Sequence, residues 1–437
     1  MKKTLYLTVF VFFSLLVLSV FIQNFQIFGI EVKKADIISE LYLTELTDSA
    51  DTNSIIKENE LAVDSADTFI NYITDFRIDS LHTLEKFNNA LRKTEKDKTI
   101  TRIAFLGDSM IEGDLVTQSL RYKLQQKYGG SGVGFMPVVS QVANFRESIH
   151  HKFSSNWSVL SILKNLGDKN LGLSGYVFKP KGVSSVSYFA PEDKYDNLKQ
   201  FYTIKLYYGN TAPEDYASYL ENNYYLNKTD DYNQVILNDT IPVDKSEIVF
   251  HCSSSANIYG LSFESPYGVF LDNYSVRGNT GIPLIGLSQP LLKNIDSVMQ
   301  YNLIILQYGL NLAKPETKDF SFYTQTMIPA INNLKECFPN ADILVMSVSD
   351  KCYKRGGSYV TEPSIPLIVE AQEQISKETG CAFWNLFRNM GGTNSMSKWV
   401  KDDLANKDYT HFNVAGAEIV GTYLYNQLIH NYLKSQK

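Results

Sequence analysis

The sequence has few of the residues that mark several common classes of protein. Only 4 of its 437 residues are cysteine, and no two of them form a Cys-x-x-Cys pair. A disulfide-dense scaffold and a dithiol or paired-cysteine zinc site are therefore excluded. Histidine is also scarce, with 6 residues, so a catalytic or metal-binding histidine must come from a short list.

Basic residues are too few and too scattered for a nucleic-acid-binding protein. The chain has 41 lysine and arginine residues against 47 aspartate and glutamate residues, a formal net charge of −6. Proteins that bind nucleic acid normally have a basic face, so we expect no nucleic-acid partner. Hydrophobic residues make up 44% of the chain, which excludes a mostly disordered protein and is enough for sizeable cores.

The N-terminal segment, residues 1–25, predicts export. Lys2 and Lys3 precede an apolar run, Leu5–Ile22, without any charged residue. A run of about 18 residues is close to the roughly 20 that cross a bilayer as a helix. Bulky residues follow Ile22 where a cleavage site needs small ones, so we expect an uncleaved anchor, with a cleaved signal peptide as the alternative. In both cases the remainder of the chain lies outside the cytoplasm.

The segment that follows is polar, acidic and free of proline, since no proline occurs before Pro137. We predict a partly helical stalk over residues 26–78. Apolar residues at helical spacing then predict a helix over 79–94, with Asp79 or Ser80 as its N-cap. We expect this helix to pack on the domain that begins with it.

Two separate parts of the chain alternate between strand and helix patterns. In the first, 79–149, a buried strand at Ile103–Leu106 is followed by a turn and a helix over Asp114–Tyr128, which is how an α/β unit begins. In the second, 266–437, the pattern predicts strands and helices in alternation: strands at Gly268–Leu271, Leu303–Leu306, Ile343–Val348 and Ala382–Trp384, and helices over Phe320–Cys337, Pro366–Thr379 and Asn413–Tyr432.

Between these parts, residues 150–265 have a different pattern. Short runs rich in Tyr, Val, Ile and Phe are separated by clusters of Asn, Asp, Gly and Pro: Gly175–Phe178, Ser185–Phe189, Phe201–Tyr208, Gln234–Leu237, Ile248–His251 and Ile258–Phe263. Many short strands at close spacing, without helices between them, predict a β-sandwich. The chain is therefore expected to be one α/β domain interrupted by an inserted β-sandwich.

Two short motifs combine the residues of a nucleophilic site. Gly107-Asp108-Ser109 follows the first strand directly, so the Ser109 hydroxyl is expected at the carboxyl edge of a parallel sheet. On its own this is an ordinary Asp-Ser turn. Asp408 lies three positions before His411, close enough for its carboxylate to hold one ring nitrogen and leave the other for a serine.

Two further loops offer donors for an oxyanion. Asn311 follows the strand Leu303–Leu306, and its amide can donate a hydrogen bond to developing negative charge. Gly278 lies in the loop after Gly268–Leu271, where its backbone N–H can be a second donor. Each loop is common when taken alone.

Taken in chain order, these motifs resemble the four blocks of the SGNH/GDSL hydrolase superfamily, matched here by Ser109, Gly278, Asn311 and His411, with Asp408 completing the triad. The resemblance implies a flavodoxin-like, three-layer α/β domain with a parallel sheet, here interrupted by a jelly-roll-like β-sandwich. It also implies ester hydrolysis or acyl transfer with no metal or other cofactor. An oxyanion hole would then consist of the Ser109 and Gly278 backbone N–H groups and the Asn311 amide.

The sequence leaves three points open. The separation of 169 positions between Ser109 and Gly278 is accounted for by the insertion. If the insertion is misplaced, Gly132 or Gly134 becomes the oxyanion glycine. Cys337 and Cys381 each precede a predicted strand, so a disulfide between them is conceivable in an oxidising compartment. The function expected first is an exported bacterial serine esterase, tethered to the cytoplasmic membrane with its catalytic domain outside, that removes O-acetyl groups from a polysaccharide. The alternatives are an O-acyltransferase acting on a glycan and a non-enzymatic, tethered glycan-binding protein.

Overall fold

The computed structural model describes residues 25–27, 30–32, 72–76, 84–191, 195–238 and 242–436, and the chain divides into two compact units, Met1–Thr68 and Phe69–Lys437. In the first unit, strands β1 (Phe25–Ile27) and β2 (Ile30–Val32) pair antiparallel. These two strands overlap the start of the predicted partly helical stalk, 26–78, and their triplets Phe-Gln-Ile and Ile-Glu-Val alternate as strands do. Most of the stalk lies outside the described residues, so it stays a prediction. The predicted anchor, Leu5–Ile22, lies outside the described residues. None of the helices within the described ranges is long and apolar enough to cross a bilayer.

Among the described residues, the helices and the remaining strands lie in the second unit. Its helices are α1 (Glu85–Asp97), α2 (Leu115–Tyr128), α3 (Gln289–Met299), α4 (Ser321–Cys337), α5 (Ser364–Thr379), α6 (Leu386–Asn389), α7 (Ser395–Lys401) and α8 (Val414–Lys434). Its strands are β3 (Ile100–Gly107), β4 (Gly134–Met136), β5 (His150–Phe153), β6 (Trp157–Ser161), β7 (Tyr176–Pro180), β8 (Ser184–Phe189), β9 (Thr203–Gly209), β10 (Tyr216–Tyr219), β11 (Asn222–Tyr225), β12 (Asn233–Asn238), β13 (Lys245–His251), β14 (Asn257–Glu264), β15 (Gly268–Ser275), β16 (Leu303–Gln307), β17 (Asp342–Met346), β18 (Cys352–Arg355), β19 (Ser358–Thr361) and β20 (Ala382–Trp384).

A parallel sheet in the order β15-β3-β16-β17-β20 forms the centre of the α/β domain. Counted within this domain alone, the order is 2-1-3-4-5, which is the flavodoxin-like arrangement. Every residue of β16 and β17 is buried, as is expected when helices cover both faces of a sheet. The continuous apolar runs of the sequence thus became the interior strands, and the predicted fold class is confirmed.

The inserted domain is a sandwich of two antiparallel sheets, as predicted. One sheet has the order β11-β10-β13-β8-β5, and the other has the order β12-β9-β14-β7-β6, with β4 also paired to β14. The chain enters this domain earlier than the predicted boundary at residue 150. Val133, Met136 and Val138 are already buried in the core of the sandwich, because β4 adds to β14 immediately after α2.

The start of the α/β domain also differs from the prediction. Helix α1 begins at Glu85 rather than at residue 79. The residue before it, Leu84, is buried in a left-handed conformation (φ 58°), which cannot be part of a right-handed helix. The proposed caps, Asp79 and Ser80, lie outside the described residues. Before the helix, Thr74 exchanges two backbone hydrogen bonds with Phe383 at 2.8 and 3.0 Å and so covers the edge strand β20.

A buried ionic network joins the sandwich to the parallel sheet. The Arg102 guanidinium on β3 donates to Asp272 on β15 at 2.9 Å and also bonds Glu264 at the end of β14. Lys205 on β9 donates to the second oxygen of Glu264 at 2.8 Å. All these side chains except Lys205 are almost fully buried. Removing one partner of such a buried pair typically costs about 3–5 kcal/mol, so the network holds the insertion in one position on the sheet.

None of the four cysteines forms a disulfide. Cys337 ends α4 and Cys381 precedes β20, and both are buried. The disulfide left open from the sequence is therefore not formed between them. Their burial is ordinary for a thiol, which packs as a small apolar group.

Candidate active site

The loops that carry the predicted site residues leave the sheet at one edge. Strands β15, β3 and β16 are neighbours, and Gly107 at the end of β3 is in register with Ser275 and with Gln307. Ser109 and Asn311 therefore follow adjacent parallel strands at their carboxyl ends. Ligands of open α/β sheets bind at this edge, where the strand order changes direction.

Gly107 allows the tight turn that presents Ser109. A side chain at this position would place its Cβ 2.8 Å from Ile111 and 3.0 Å from the carbonyl oxygen of Gln307 on β16. The Gly107 carbonyl also accepts a hydrogen bond from the Val276 N–H at 3.0 Å, in the loop after β15. Because glycine lets the three chain segments approach this closely, the loops after β3, β15 and β16 lie side by side.

The predicted triad is assembled. The Ser109 hydroxyl lies 2.9 Å from Nε2 of His411, and Nδ1 of His411 lies 2.8 Å from a carboxylate oxygen of Asp408. The other oxygen of Asp408 accepts the backbone N–H groups of Thr410 and His411 at 2.9 and 3.0 Å. The loop between Asp408 and His411 thus folds back on the carboxylate, which orients the imidazole toward the serine.

The environment keeps the Asp408 carboxylate ionised. Partial burial opposes the charge, but the hydrogen bonds from the side chain and backbone of His411 and from Thr410 outweigh it and lower the pKa of Asp408 below its ordinary value. An ionised Asp408 can stabilise an imidazolium at His411, the charge that this ring would carry after accepting a proton from Ser109. The side chains of His411 and Asp408 are 33% and 49% exposed, so a substrate can reach them from solvent.

The loops with the predicted oxyanion donors are bonded to each other. The Asn311 amide donates to the carbonyl of Asn279 at 3.0 Å, next to Gly278. Gly278 itself is exposed and left-handed (φ 81°), and a Cβ added there would lie 3.9 Å from the Leu163 side chain, an ordinary van der Waals distance. Its neighbour Arg277 forms an ion pair with Glu112 in the turn after Ser109. These contacts place Gly278 and Asn311 beside the turn that carries Ser109.

The alternative glycines lie elsewhere. The Gly132 N–H donates to the carbonyl of Asn197 at 3.0 Å, and the Cβ position of Gly134 lies 2.5 Å from Asp272. Asp272 pairs with Ala104, in the middle of the sheet rather than at its carboxyl edge. Gly132 and Gly134 therefore pack between the two domains, and the geometry favours Gly278 as the oxyanion glycine.

Asp108 has a role at the site that the sequence did not reveal. Its side chain is fully buried; one oxygen accepts the Met110 N–H at 2.9 Å, as in an ordinary Asp-Ser turn. The second oxygen accepts the Asn311 amide, also at 2.9 Å. Asp108 thus connects the turn that carries Ser109 to Asn311, the proposed oxyanion donor. Its position next to Ser109 suggested that it lies near the site, but the contact with Asn311 could not be predicted, because Asn311 lies 203 residues away in the chain.

Burial makes the Asp108 carboxylate costly. It raises the pKa of Asp108 from 3.8 to about 7, against the opposing effects of Met110, His411 and Asn311. The folded protein therefore holds the Asp108 proton more tightly than the unfolded chain does. The contribution to stability is complete at pH values below the unfolded pKa and is lost as the pH rises through about 7, a loss of about 4 kcal/mol.

Asp108→Asn should remove this loss and impair the site. The free energy of unfolding of the variant minus that of the wild type should increase by about 4 kcal/mol between about pH 4 and pH 8. The turnover number should fall, because a carboxamide at position 108 has one acceptor oxygen instead of two and therefore orients the Asn311 amide less firmly. Urea unfolding at several pH values, with initial rates on a small ester, measures both. A pH-independent stability difference would show that Asp108 does not titrate in this range.

The described residues offer no metal site: no three histidine, cysteine, aspartate or glutamate side chains among them are grouped to hold an ion. The site consists of a hydroxyl, an imidazole, two carboxylates and amide donors. These groups can carry out nucleophilic attack on a carbonyl with proton transfer through His411.

Comparison with known proteins identifies the architecture. No protein-family model and no curated protein sequence matches the chain. Among solved structures, one described as a peptidoglycan O-acetylesterase in action has a TM-score of 0.69 at 20% identity, over 83% of this chain and 99% of that chain. A family two carbohydrate esterase from Cellvibrio japonicus has a TM-score of 0.27 at 10% identity, over 65% of this chain and 98% of that chain. A salicylyl-acyltransferase from a tetracycline biosynthetic pathway has a TM-score of 0.30 at 12% identity, over 66% of this chain and 96% of that chain.

The last two superpositions are too poor to carry an argument. The first matches this chain along nearly the whole length of the solved structure. Because the match covers 83% of this chain, it must include residues of both the α/β domain and the inserted β domain. The α/β fold with an inserted β domain is therefore confirmed, and the chain shares this architecture with that solved structure.

Proposed function

We propose that the protein is a serine esterase that removes O-acetyl groups from a cell-wall polysaccharide through an acyl-serine intermediate. The observation that carries this proposal is the continuous hydrogen-bonded path from Asp408 through His411 to Ser109, at 2.8 and 2.9 Å, beside the Asn311 amide. An arrangement of this kind makes a serine hydroxyl nucleophilic at neutral pH.

The reaction proceeds in two halves. The Ser109 oxygen bonds to the ester carbonyl carbon while its proton passes to Nε2 of His411, and the carbonyl oxygen becomes an oxyanion held by the backbone N–H groups of Ser109 and Gly278 and the Asn311 amide. Breakage of the ester bond releases the sugar alkoxide, which takes the proton from His411. Water then gives a proton to His411 while its oxygen bonds to the acyl carbon. The bond from that carbon to the Ser109 oxygen breaks, His411 returns the proton to this oxygen, and acetic acid leaves.

Two observations support a cell-wall polysaccharide as the substrate. The similar solved structure with a TM-score of 0.69 is described as a peptidoglycan O-acetylesterase. The charge-free run Leu5–Ile22 after Lys2 and Lys3 predicts that the site works outside the cytoplasm, where such polysaccharides lie. O-acetylated peptidoglycan is accordingly the first substrate to test.

Release of acetate from O-acetylated peptidoglycan by purified full-length protein tests this function. We expect acetate release with the wild-type protein and none above background with Ser109→Ala. Acetylated xylan in parallel separates a peptidoglycan esterase from a broader polysaccharide esterase. Transfer of acetyl groups to an added glycan, without free acetate, would support the acyltransferase alternative. Inactivity on all esters, including p-nitrophenyl acetate, would reject both enzymatic functions.

We further propose that residues 1–25 anchor the protein in the cytoplasmic membrane of a bacterium, with the catalytic domain outside. The bulky residues after Ile22 oppose cleavage. Full-length protein should remain in the membrane fraction after an alkaline carbonate wash, and protease added to intact spheroplasts should degrade the catalytic domain. A mature N-terminus between residues 20 and 35 in mass spectrometry would show a cleaved signal peptide instead.

A further inference from the structure

A hairpin outside the four motifs borders the candidate site. Strands β18 and β19 pair antiparallel, with Cys352 opposite Thr361 and Lys354 opposite Tyr359. They follow β17, whose carboxyl end lies at the same edge of the sheet as those of β3 and β16. The topology therefore brings this hairpin, residues 352–361, to the edge that carries Ser109 and Asn311.

The base of the hairpin is bonded to both loops that flank the nucleophile. The backbone N–H of Cys352 donates to the carbonyl of Tyr409, between Asp408 and His411, at 3.0 Å. The adjacent Lys351 donates its ammonium to the carbonyl of Ala313, two residues after Asn311, at 3.3 Å. The hairpin thus joins the histidine loop to the asparagine loop and lies at the rim of the site.

Two tyrosine rings are stacked where the hairpin meets the histidine loop. The rings of Tyr359 and Tyr409 are parallel within 4°, with centroids 3.5 Å apart. Tyr409 covers one face of the Tyr359 ring, yet Tyr359 remains 36% exposed. Lys354, directly opposite Tyr359 and therefore on the same face of the hairpin, is exposed as well. The Tyr359 ring and the neighbouring Lys354 ammonium are thus open to solvent, and Tyr359 is stacked on a residue that lies two positions before His411 in the chain.

We propose that Tyr359, supported by Tyr409, binds a sugar ring of the polysaccharide next to the sugar that carries the acetyl group. This inference rests on the proposed function and extends it by naming a glycan-binding subsite. The C–H groups on one face of a pyranose carry partial positive charge and pack on the negative face of an aromatic ring. The ammonium of Lys354 can donate hydrogen bonds to the hydroxyl or carboxylate groups at the edge of the same sugar.

The arrangement of the rings suits this role. A ring held flat against a second ring loses little conformational entropy when a ligand covers its other face. The alternative is a purely structural role, in which Tyr359 only holds Tyr409 and thereby the histidine loop. The two roles differ in the substrates that they affect, since a small ester contacts the triad but has no second sugar.

The test compares polymeric and small substrates in full-length protein. For Tyr359→Ala we expect kcat/KM on O-acetylated peptidoglycan to fall about tenfold further than kcat/KM on p-nitrophenyl acetate, with most of the change in KM. Tyr359→Phe keeps the ring and should recover the polymer activity. Tyr353→Ala is the matched control, because Tyr353 is on the same hairpin but on its opposite face, and it should leave the ratio of the two activities unchanged.

Other outcomes overturn the subsite. An equal loss on both substrates would assign Tyr359 to support of the histidine loop, and no loss on either would leave it without a role in binding. A fall in the activity ratio for Tyr353→Ala equal to that for Tyr359→Ala would also remove the specific assignment to the stacked face.

A binding measurement separates failure of this inference from failure of the proposed function. The affinity of Ser109→Ala protein for soluble O-acetylated peptidoglycan fragments is compared with that of Ser109→Ala/Tyr359→Ala protein. About tenfold weaker binding of the double variant supports the subsite even if no esterase activity is found. Equal affinities overturn the subsite even if the protein is an active esterase.

Discussion

Replacing Ser109 by alanine is expected to lower kcat on any ester substrate by about 10⁴–10⁶-fold, because no other group in the site can form the acyl intermediate. The substitution removes one hydroxyl from a partly exposed turn, and His411 loses only the contact at 2.9 Å. The fold and the thermal unfolding temperature should therefore stay close to those of the wild type. Initial rates, differential scanning fluorimetry and labelling by a fluorophosphonate probe measure these effects.

Adding His411→Ala and the double variant Ser109→Ala/His411→Ala to this experiment shows whether Ser109 and His411 act as one unit. Each single alanine variant should lose nearly the whole rate enhancement due to the triad, and the double variant should be no slower than either one. Independent, multiplicative losses would mean that His411 acts on the substrate rather than on the serine. Full esterase activity in Ser109→Ala would exclude this serine as the nucleophile.

The central fold could be predicted because its sequence signals are local. Buried strands such as Ile103–Leu106 and Leu303–Leu306 are continuous apolar runs, and the structure places them within β3 and β16. The six strands predicted for the inserted domain all correspond to observed strands. Short strands such as β10 (Tyr216–Tyr219) and β11 (Asn222–Tyr225) were not predicted, because most of their residues are polar or partly exposed.

Domain boundaries could not be predicted for a different reason. They depend on which distant segment a strand joins, and no local pattern specifies this. Gly134–Met136 follows an α/β helix and is only three residues long, yet it pairs with Leu261–Phe263. Thr74 likewise lies in a polar segment, but it covers the edge strand at Phe383. Contacts across 100 or more residues leave no periodic trace in either partner.

The same distinction applies to the site. The spacing of Asp408 and His411 is local, and the contact of 2.8 Å follows from it. The contact between Asp108 and Asn311 and the stacking of Tyr359 on Tyr409 join separate loops. Neither pair has a spacing that could have indicated it. The triad was therefore accessible from the sequence, whereas the residues that orient the oxyanion donor and border the site required the fold.

Asn311→Ala is expected to lower kcat by about 10²–10³-fold, or roughly 3–4 kcal/mol of transition-state stabilisation, with little change in KM. At rest the two amide hydrogens of Asn311 are bonded to Asp108 and to the carbonyl of Asn279. The amide must exchange one of these partners for the oxyanion, so the new bond exists only as charge develops. An interaction made only in the transition state affects kcat rather than KM. Labelling of Ser109 by the fluorophosphonate probe should persist, because serine and base remain.

Loss of Asn311 should also affect stability, and this separates its two roles. The buried Asp108 carboxylate loses one of its donors, at a cost of about 1–3 kcal/mol above pH 7. Adding Asp108→Asn should restore the stability of the Asn311→Ala variant without restoring kcat, because the oxyanion donor is still missing. Recovery of kcat in the double variant would instead mean that Asn311 acts only by neutralising Asp108. A change confined to KM would place Asn311 in ground-state binding, and no change at all would make the loop structural and remove the argument that pairs it with Gly278.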